Sequence, residues 1–203
     1  MTIGRRFPLA LAGCALALLA AGCAGAPRPA TEFDTGLGLA RRGLPQRVED
    51  VKVVTGRLAR DGRVWIGGQP DSTALVTLAA RGVRTLVCFR TPEEMDDRKE
   101  VPFDEAALAK RLGMEFVSIP FGGEKHPPVP GSVDRLAAVL RDRPGQVLLH
   151  CGVGARASSM WVAYLVRHQG YGLQEALARG RAINLMPSSL EGLLGKPLTF
   201  TYR

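Results

Sequence analysis

The chain has 203 residues, 46% of them hydrophobic and 23% charged, with a formal net charge of +8. That length and balance suit one ordinary domain with a real core and exclude a wholly disordered chain. Lys and Arg are scattered rather than blocked, so no nucleic-acid partner is expected, and solubility with a mild attraction for anions accounts for the charge.

At the N-terminus, Arg5 and Arg6 precede the uncharged run FPLALAGCALALLAAG, residues 7–22. The run is short for a membrane span and right for the apolar region of a signal. It ends LLAAGC, with small residues directly before Cys23. This resembles a bacterial lipobox, so residues 1–23 read as a lipoprotein-type signal peptide with Cys23 as the lipidated residue. LAGC, ending at Cys14, fits in letters but leaves almost no apolar run. An uncleaved anchor and a plain secretory signal are the competing readings. Residues 24–47 are rich in Ala, Pro, Gly and Arg without an apolar period and read as a flexible tether. The expectation is an exported protein in the bacterial periplasm, with the membrane as a partner through its lipid. Two cysteines then remain, Cys88 and Cys151, either as a disulfide or as two thiols with separate tasks.

The domain is expected over 48–203. VKVVTGRL and RVWIGG read as two short strands split by the turn ARDG. Asp71 or Ser72 caps a helix with Leu75, Leu78 and Ala79 on its apolar face, closed by Gly82. VRTLVCF is an apolar strand, and TPEEMDDRKE a charged loop in which Asp96 and Asp97 are solvated. Pro102 opens a second helix that Gly113 stops. MEFVSIP is a strand, FGGEKHPPVPG a loop, and SVDRLAAVLRD a helix with Val133, Leu136 and Leu140 on one stripe. GQVLLHC is a buried strand, and helices are expected at about 156–169 and 172–184. No pattern is assigned from Pro187 onward. Strands alternating with helices predict an α/β domain, a mostly parallel central sheet flanked by helices. Ligands of such sheets sit at the carboxyl ends of the strands, which is where Cys88 and Cys151 fall.

The segment HCGVGARAS, His150 to Ser158, joins a strand to a helix. A thiol becomes a nucleophile as the thiolate, and a helix N-terminus and a nearby arginine both stabilise that form. Gly152, Val153, Gly154 and Ala155 supply backbone N–H groups for an anion nest, and Arg156 a fork for two oxygens. His150 is expected beneath the loop, holding it by hydrogen bonding. The competing reading is a strand end with an inert buried cysteine. The three histidines show no metal-ligand spacing, so neither a metal nor another cofactor is expected.

These residues resemble the cysteine-dependent phosphatase superfamily of dual-specificity and tyrosine type. They are most similar to the bacterial beta-lactamase-hydrolase-like phosphatase domain family. The likeness covers about 60–185 and rests on GGQPDSTALVTLAARGVRTLVCFRTPEE, GMEFVSIPF and LLHCGVGARASSMWVAY in that order. It implies a cysteine-phosphatase-like fold and a phosphorylated or otherwise anionic substrate. Cys151 would attack phosphorus to form a thiophosphate ester, and Arg156 with the loop amides would hold the phosphoryl oxygens. The acid of the family comes from the loop after the IP strand. Here that loop has no Asp, and Glu124 is its only carboxylate, with His126 as a weaker substitute. The family also implies Cys88 as a redox partner of Cys151, against an inert buried thiol. Arg90 reads as a brace, and Gln69-Pro70 as a turn capping the sheet.

One feature departs from the phosphatase signature. Only four residues separate Cys151 from Arg156, where the signature has five before Arg and a following Ser or Thr. Ser158 falls at the hydroxyl's place if the loop is aligned on Cys151. Rhodanese-type sulfurtransferases resemble this tighter spacing, which suits a persulfide. Three readings therefore stand: a phosphatase, a sulfurtransferase or persulfide-handling protein, and a noncatalytic anion-binding pseudophosphatase.

Overall fold

Hydrophobic strands alternating with capped helices build the domain in chain order. The computed structural model describes residues 43–53 and 55–199; Cys23 and the expected signal lie outside them. The strands are β1 (Gln46–Val48), β2 (Leu58–Asp61), β3 (Val64–Gly67), β4 (Val83–Cys88), β5 (Glu115–Ser118) and β6 (Gln146–His150). The helices are α1 (Ser72–Ala80), α2 (Pro92–Asp96), α3 (Glu105–Arg111), α4 (Pro130–Asp142), α5 (Ala155–His168), α6 (Leu173–Ile183) and α7 (Leu190–Leu194), the last following a 3-10 turn at Pro187–Ser189.

The sheet order is β1-β2-β3-β6-β4-β5. The β1/β2 and β2/β3 pairs are antiparallel, and the β3/β6, β6/β4 and β4/β5 pairs are parallel. Five of the six strands therefore run one way, and the mostly parallel α/β sheet expected from the sequence is present. One face carries α1 and α3, whose Leu75, Leu78 and Ala109 pack on Trp65, Leu86 and Leu148. The other carries α4 to α7, and its core joins Ile66, Val87 and Leu149 to Val133, Leu136, Trp161, Leu177 and Leu193. Both faces of β6 are covered, which explains its uninterrupted apolar run. Among the described residues no helix is long and apolar enough to cross a membrane.

Four local expectations differ from what forms. β1 starts at Gln46, inside the stretch read as tether. VKVVTGRL is not one strand: Val53 makes an isolated bridge to Pro70, and regular pairing starts at Leu58. The Thr55 hydroxyl instead donates to the Gly152 carbonyl (2.6 Å), binding this stretch to the Cys151 loop. TPEEMDDRKE contains α2, because Thr91 and Glu94 form a reciprocal capping box with Pro92 in the first turn. Finally, α3 begins at Glu105 rather than Pro102, since the Asp104 carboxylate caps it by accepting from the Ala107 amide.

The end of β2 is tied to the helical layer by a buried ion pair. Both Asp61 carboxylate oxygens accept from Arg179 of α6, at 2.9 and 2.8 Å, and one also accepts from the Trp161 indole of α5 at 3.1 Å. Asp61→Ala strands a buried guanidinium and should cost about 3–5 kcal/mol. Pairing it with Arg179→Met should restore part of that loss, which denaturant unfolding of both variants measures. Equal losses in the single and double variants would remove the pair from any structural role.

Candidate active site

Residue alternation along β6 decides where the site lies. Leu149 and Cys151 belong to the core under α4 to α7, while Leu148 faces the α1 and α3 side. His150, on the alternate register, faces the Leu148 side with Cys88, its parallel partner on β4. Cys151 thus enters the loop at the N-terminus of α5, and His150 goes to the opposite face.

Gly154 is the N-cap of α5 and has φ +90, a conformation that favours glycine. Its amide donates to Cys151 Sγ at 3.2 Å, so the sulfur lies against the positive end of a 14-residue helix. The loop is fastened from outside. The Gln69 amide donates to the Gly152 carbonyl (2.8 Å), and the Asn184 side chain donates to the Val153 carbonyl (2.8 Å). A side chain at Gly68 would run into the Thr55 carbonyl, so that crossing admits only glycine. Ala155 opens the helix, and the exposed Val153 forms the loop's apolar tip.

Arg156 is gripped at one end. Its Nη1 donates to Glu94 Oε2 (2.8 Å) and to the carbonyls of Phe89 (3.2 Å) and Phe121 (3.0 Å), and its Nη2 donates to Glu94 Oε1 (2.6 Å). None of these contacts uses the Nε–H edge. Burial opposes the charge on Arg156, but Glu94, and to a lesser degree the Cys151 sulfur, hold its pKa above the ordinary value. Burial likewise opposes ionisation of Glu94, yet Arg156 and the Thr91 amide keep its carboxyl below the usual range. Glu94 is therefore an ionised brace at neutral pH and unsuited to donate a proton. It was missed in the sequence, where it stood in a stretch read as loop. The T-x-x-E spacing of Thr91 and Glu94, a capping box before a helix, was the available signal.

Glu124 is exposed on a tight loop closed by the Gly122–His126 bridge. That loop docks on the site through the Phe121 carbonyl, and a Cβ at Gly122 would lie 3.0 Å from Arg156 Nη1. Lys125 reaches Glu93 of α2 at 3.6 Å, linking the two loops above Arg156.

The Ser158 and Cys88 expectations differ from what the structure shows. Ser158 does not support the loop: its hydroxyl donates to the Gly180 carbonyl of α6 at 2.9 Å, because the shorter loop has already carried it into the helix. His150 is fully buried beneath the loop and its imidazole contacts the Cys151 backbone, although neither ring nitrogen makes a well-aligned hydrogen bond. Cys88 and Cys151 are both free thiols, and they face opposite sides of the sheet.

Behind the loop lies a set that chain spacing could not reveal. The candidate ligand atoms of Cys88, Glu105 and His150 lie within 4.8 Å of one another, and all three residues are buried. Glu105 Oε1 is 3.4 Å from His150 Nε2 and accepts from Gln69 Nε2 at 3.3 Å, while its Oε2 has no partner. Burial pushes the Glu105 carboxyl up to about 7, against the pull of Gln69 and Arg90. Burial, with Arg90 beside it, pushes the His150 imidazole down to about 3, and a contact with the Cys151 backbone does not offset them. Arg90 is a buried brace: its guanidinium donates to Gln69, to the Glu94 carbonyl and to Glu100.

Comparison with known proteins places this architecture. A family model described as a DSP-PTPase phosphatase fused to NAD+ kinase matches residues 46–192. A DUF442 protein of Shewanella putrefaciens superposes with a TM-score of 0.55 at 21% identity, covering 70% of this chain and 91% of that one. Tk-PTP in its active form gives 0.52 at 23% identity, covering 68% and 95%. A cysteine-to-serine variant of TpbA from P. aeruginosa, in complex with phosphotyrosine, gives 0.50 at 18%, covering 76% and 97%. A beta-lactamase hydrolase-like protein of Xylella fastidiosa is 26% identical over 99 residues, 49% of this chain and 22% of that protein. The chain thus spans about a fifth of the length of the curated relatives it matches. These solved structures share the fold over about two thirds or more of this chain, and the family match runs through both the Cys151 loop and the Glu94 brace: the chain belongs to the family of DSP-PTPase phosphatase domains described as fused to NAD+ kinase.

Proposed function

We propose that the chain is a cysteine-dependent phosphatase acting on phosphate monoesters, with Cys151 as nucleophile. The observation that carries this reading is the Gly154 amide donating to Cys151 Sγ at the start of α5, with Arg156 in the same first turn. The amide and the helix end set positive charge against the sulfur, and Arg156 stands beside it to grip the oxygens of a substrate held there. The thiolate attacks phosphorus in line, the S–P bond forms as the P–O bond breaks, and the leaving oxygen takes a proton from a general acid. Water then cleaves the S–P bond, releasing phosphate and restoring the thiolate. Glu124 is assigned as the acid, because its loop docks on Arg156 through Phe121 and Gly122. Glu94 is assigned as the positioning residue for Arg156. The anchor reading of Cys23 adds an exported, membrane-tethered, periplasm-facing location.

A second reading, transfer of sulfane sulfur through a Cys151 persulfide, is favoured by one observation. The loop has four residues between Cys151 and Arg156, which makes a narrower cradle than the phosphatase signature. Two assays on the reduced chain separate the readings: hydrolysis of an aryl phosphate, and transfer of sulfur from thiosulfate to a thiol. Phosphate release that Cys151→Ser abolishes is the expected result. Sulfur transfer without phosphate release would overturn it in favour of the second reading. Anion binding with neither activity would leave a pseudophosphatase.

Glu124→Gln should slow esters with poor leaving groups much more than those with good ones, since only the former need the proton. Equal effects on both would deny Glu124 the role of acid. Glu94→Gln should lower kcat by on the order of 10²-fold with a smaller change in KM, because a freed guanidinium misplaces its fork. Steady-state kinetics on the two variants provide both readouts.

A further inference from the structure

We infer that Cys88, Glu105 and His150 form a binding site for a transition-metal dication of the zinc class, on the sheet face opposite Cys151. The three come from the ends of β4 and β6 and from the first residue of α3, and their ligand atoms already lie within 4.8 Å of one another. Ligand atoms around one tetrahedral zinc lie roughly 3–4 Å apart, so closure needs side-chain shifts on the order of 1 Å. Glu105 Oε1 and His150 Nε2, 3.4 Å apart, are already at that spacing.

The second observation is the state of these polar atoms. Buried polar groups in a native fold are almost always paired. Here Glu105 Oε2 and both His150 ring nitrogens have no hydrogen-bond partner. A cation held by the Glu105 carboxylate and one His150 nitrogen would pair polar atoms that the fold leaves unpaired.

Charge selects the cation. Thiolate and carboxylate together neutralise a dication, and the imidazole binds as the neutral ring. Arg90, a buried cation beside the set, is offset by its ion pair with Glu100. On binding, the proton of the Cys88 thiol and any proton on Glu105 leave to solvent as the metal–sulfur and metal–oxygen bonds form. A sulfur, nitrogen and oxygen donor set suits zinc or cobalt and disfavours magnesium and calcium, which take oxygen ligands. A cavity of about 310 Å³, lined by Met95, Phe103, Phe116 and Glu105, lies beside the set. The Met95 sulfur stands 3.6 Å from the Cys88 sulfur, at the rim of the set. None of this rests on the reading of Cys151 as a nucleophile.

The test is titration of the full, reduced chain with Co2+ and then Zn2+. One equivalent should bind, giving cobalt–thiolate charge-transfer absorption that zinc displaces. X-ray absorption of the zinc form should show one sulfur at about 2.3 Å with nitrogen and oxygen at about 2.0 Å. Cys88→Ser should weaken binding by on the order of 100-fold or more and remove the charge-transfer band. Cys151→Ser should retain both. Absence of stoichiometric binding overturns the inference, as does a thiolate band that survives Cys88→Ser, which would place the metal on Cys14, Cys23 or Cys151. If Cys88→Ser fails to fold, the wild-type X-ray absorption decides alone, since a sulfur-free shell also overturns it.

Discussion

Alternation along a strand covered on both faces is the constraint from which the site follows. β6 lies between β3 and β4, pairs in parallel with both, and has helices on each side. Successive side chains must leave it in opposite directions. His150 and Cys151 are neighbours in the chain and are sent to different compartments. Cys151 meets the N-terminus of α5, where a backbone amide already points at its sulfur. His150 enters the enclosed space with Cys88 and Glu105. The same geometry keeps the two described cysteines on separate faces, although both stand at strand ends.

A second constraint follows from the short loop. With one residue fewer before it, Arg156 lies in the first turn of α5 and its guanidinium reaches α2, where Glu94 takes its Nη end. The carbonyls of Phe89 and Phe121 complete that grip, joining the ends of β4 and β5 to the Cys151 loop. That grip fixes the guanidinium beside the Cys151 sulfur. The brace also explains why α2, with no buried residue of its own, forms at all: its capping box and its ion pair use the same glutamate. The tighter cradle is what leaves the sulfane-sulfur reading open beside the phosphoryl one.

Much of the fold was legible because its signals are local. The apolar runs VRTLVCF and GQVLLHC, and the stripe of Val133, Leu136 and Leu140, specify strands and a helix by period alone. The Cys151 loop was legible for the same reason: its glycines, cysteine and arginine are contiguous. Glu94 was hidden because a five-residue helix has too few turns to show a period, and its partner lies sixty-two positions away. The Cys88–Glu105–His150 set was hidden because ligand spacing in the chain says nothing of residues that three separate elements bring together. Ser158 was misplaced by aligning letters, since a loop one residue short turns the hydroxyl toward Gly180. Asp61, read as a turn residue, is buried because Arg179 and Trp161 wait for it in helices a hundred or more positions later.

The identity of the group that Cys151 carries is the central matter. Reacting the reduced chain with an excess of aryl phosphate, quenching in acid and mapping the peptide that contains Cys151 by mass spectrometry measures it directly. A phosphoryl adduct on Cys151, absent from Cys151→Ser, is the predicted result. A Cys151 that stays unmodified by the phosphate ester yet gains a single sulfur from thiosulfate would contradict it.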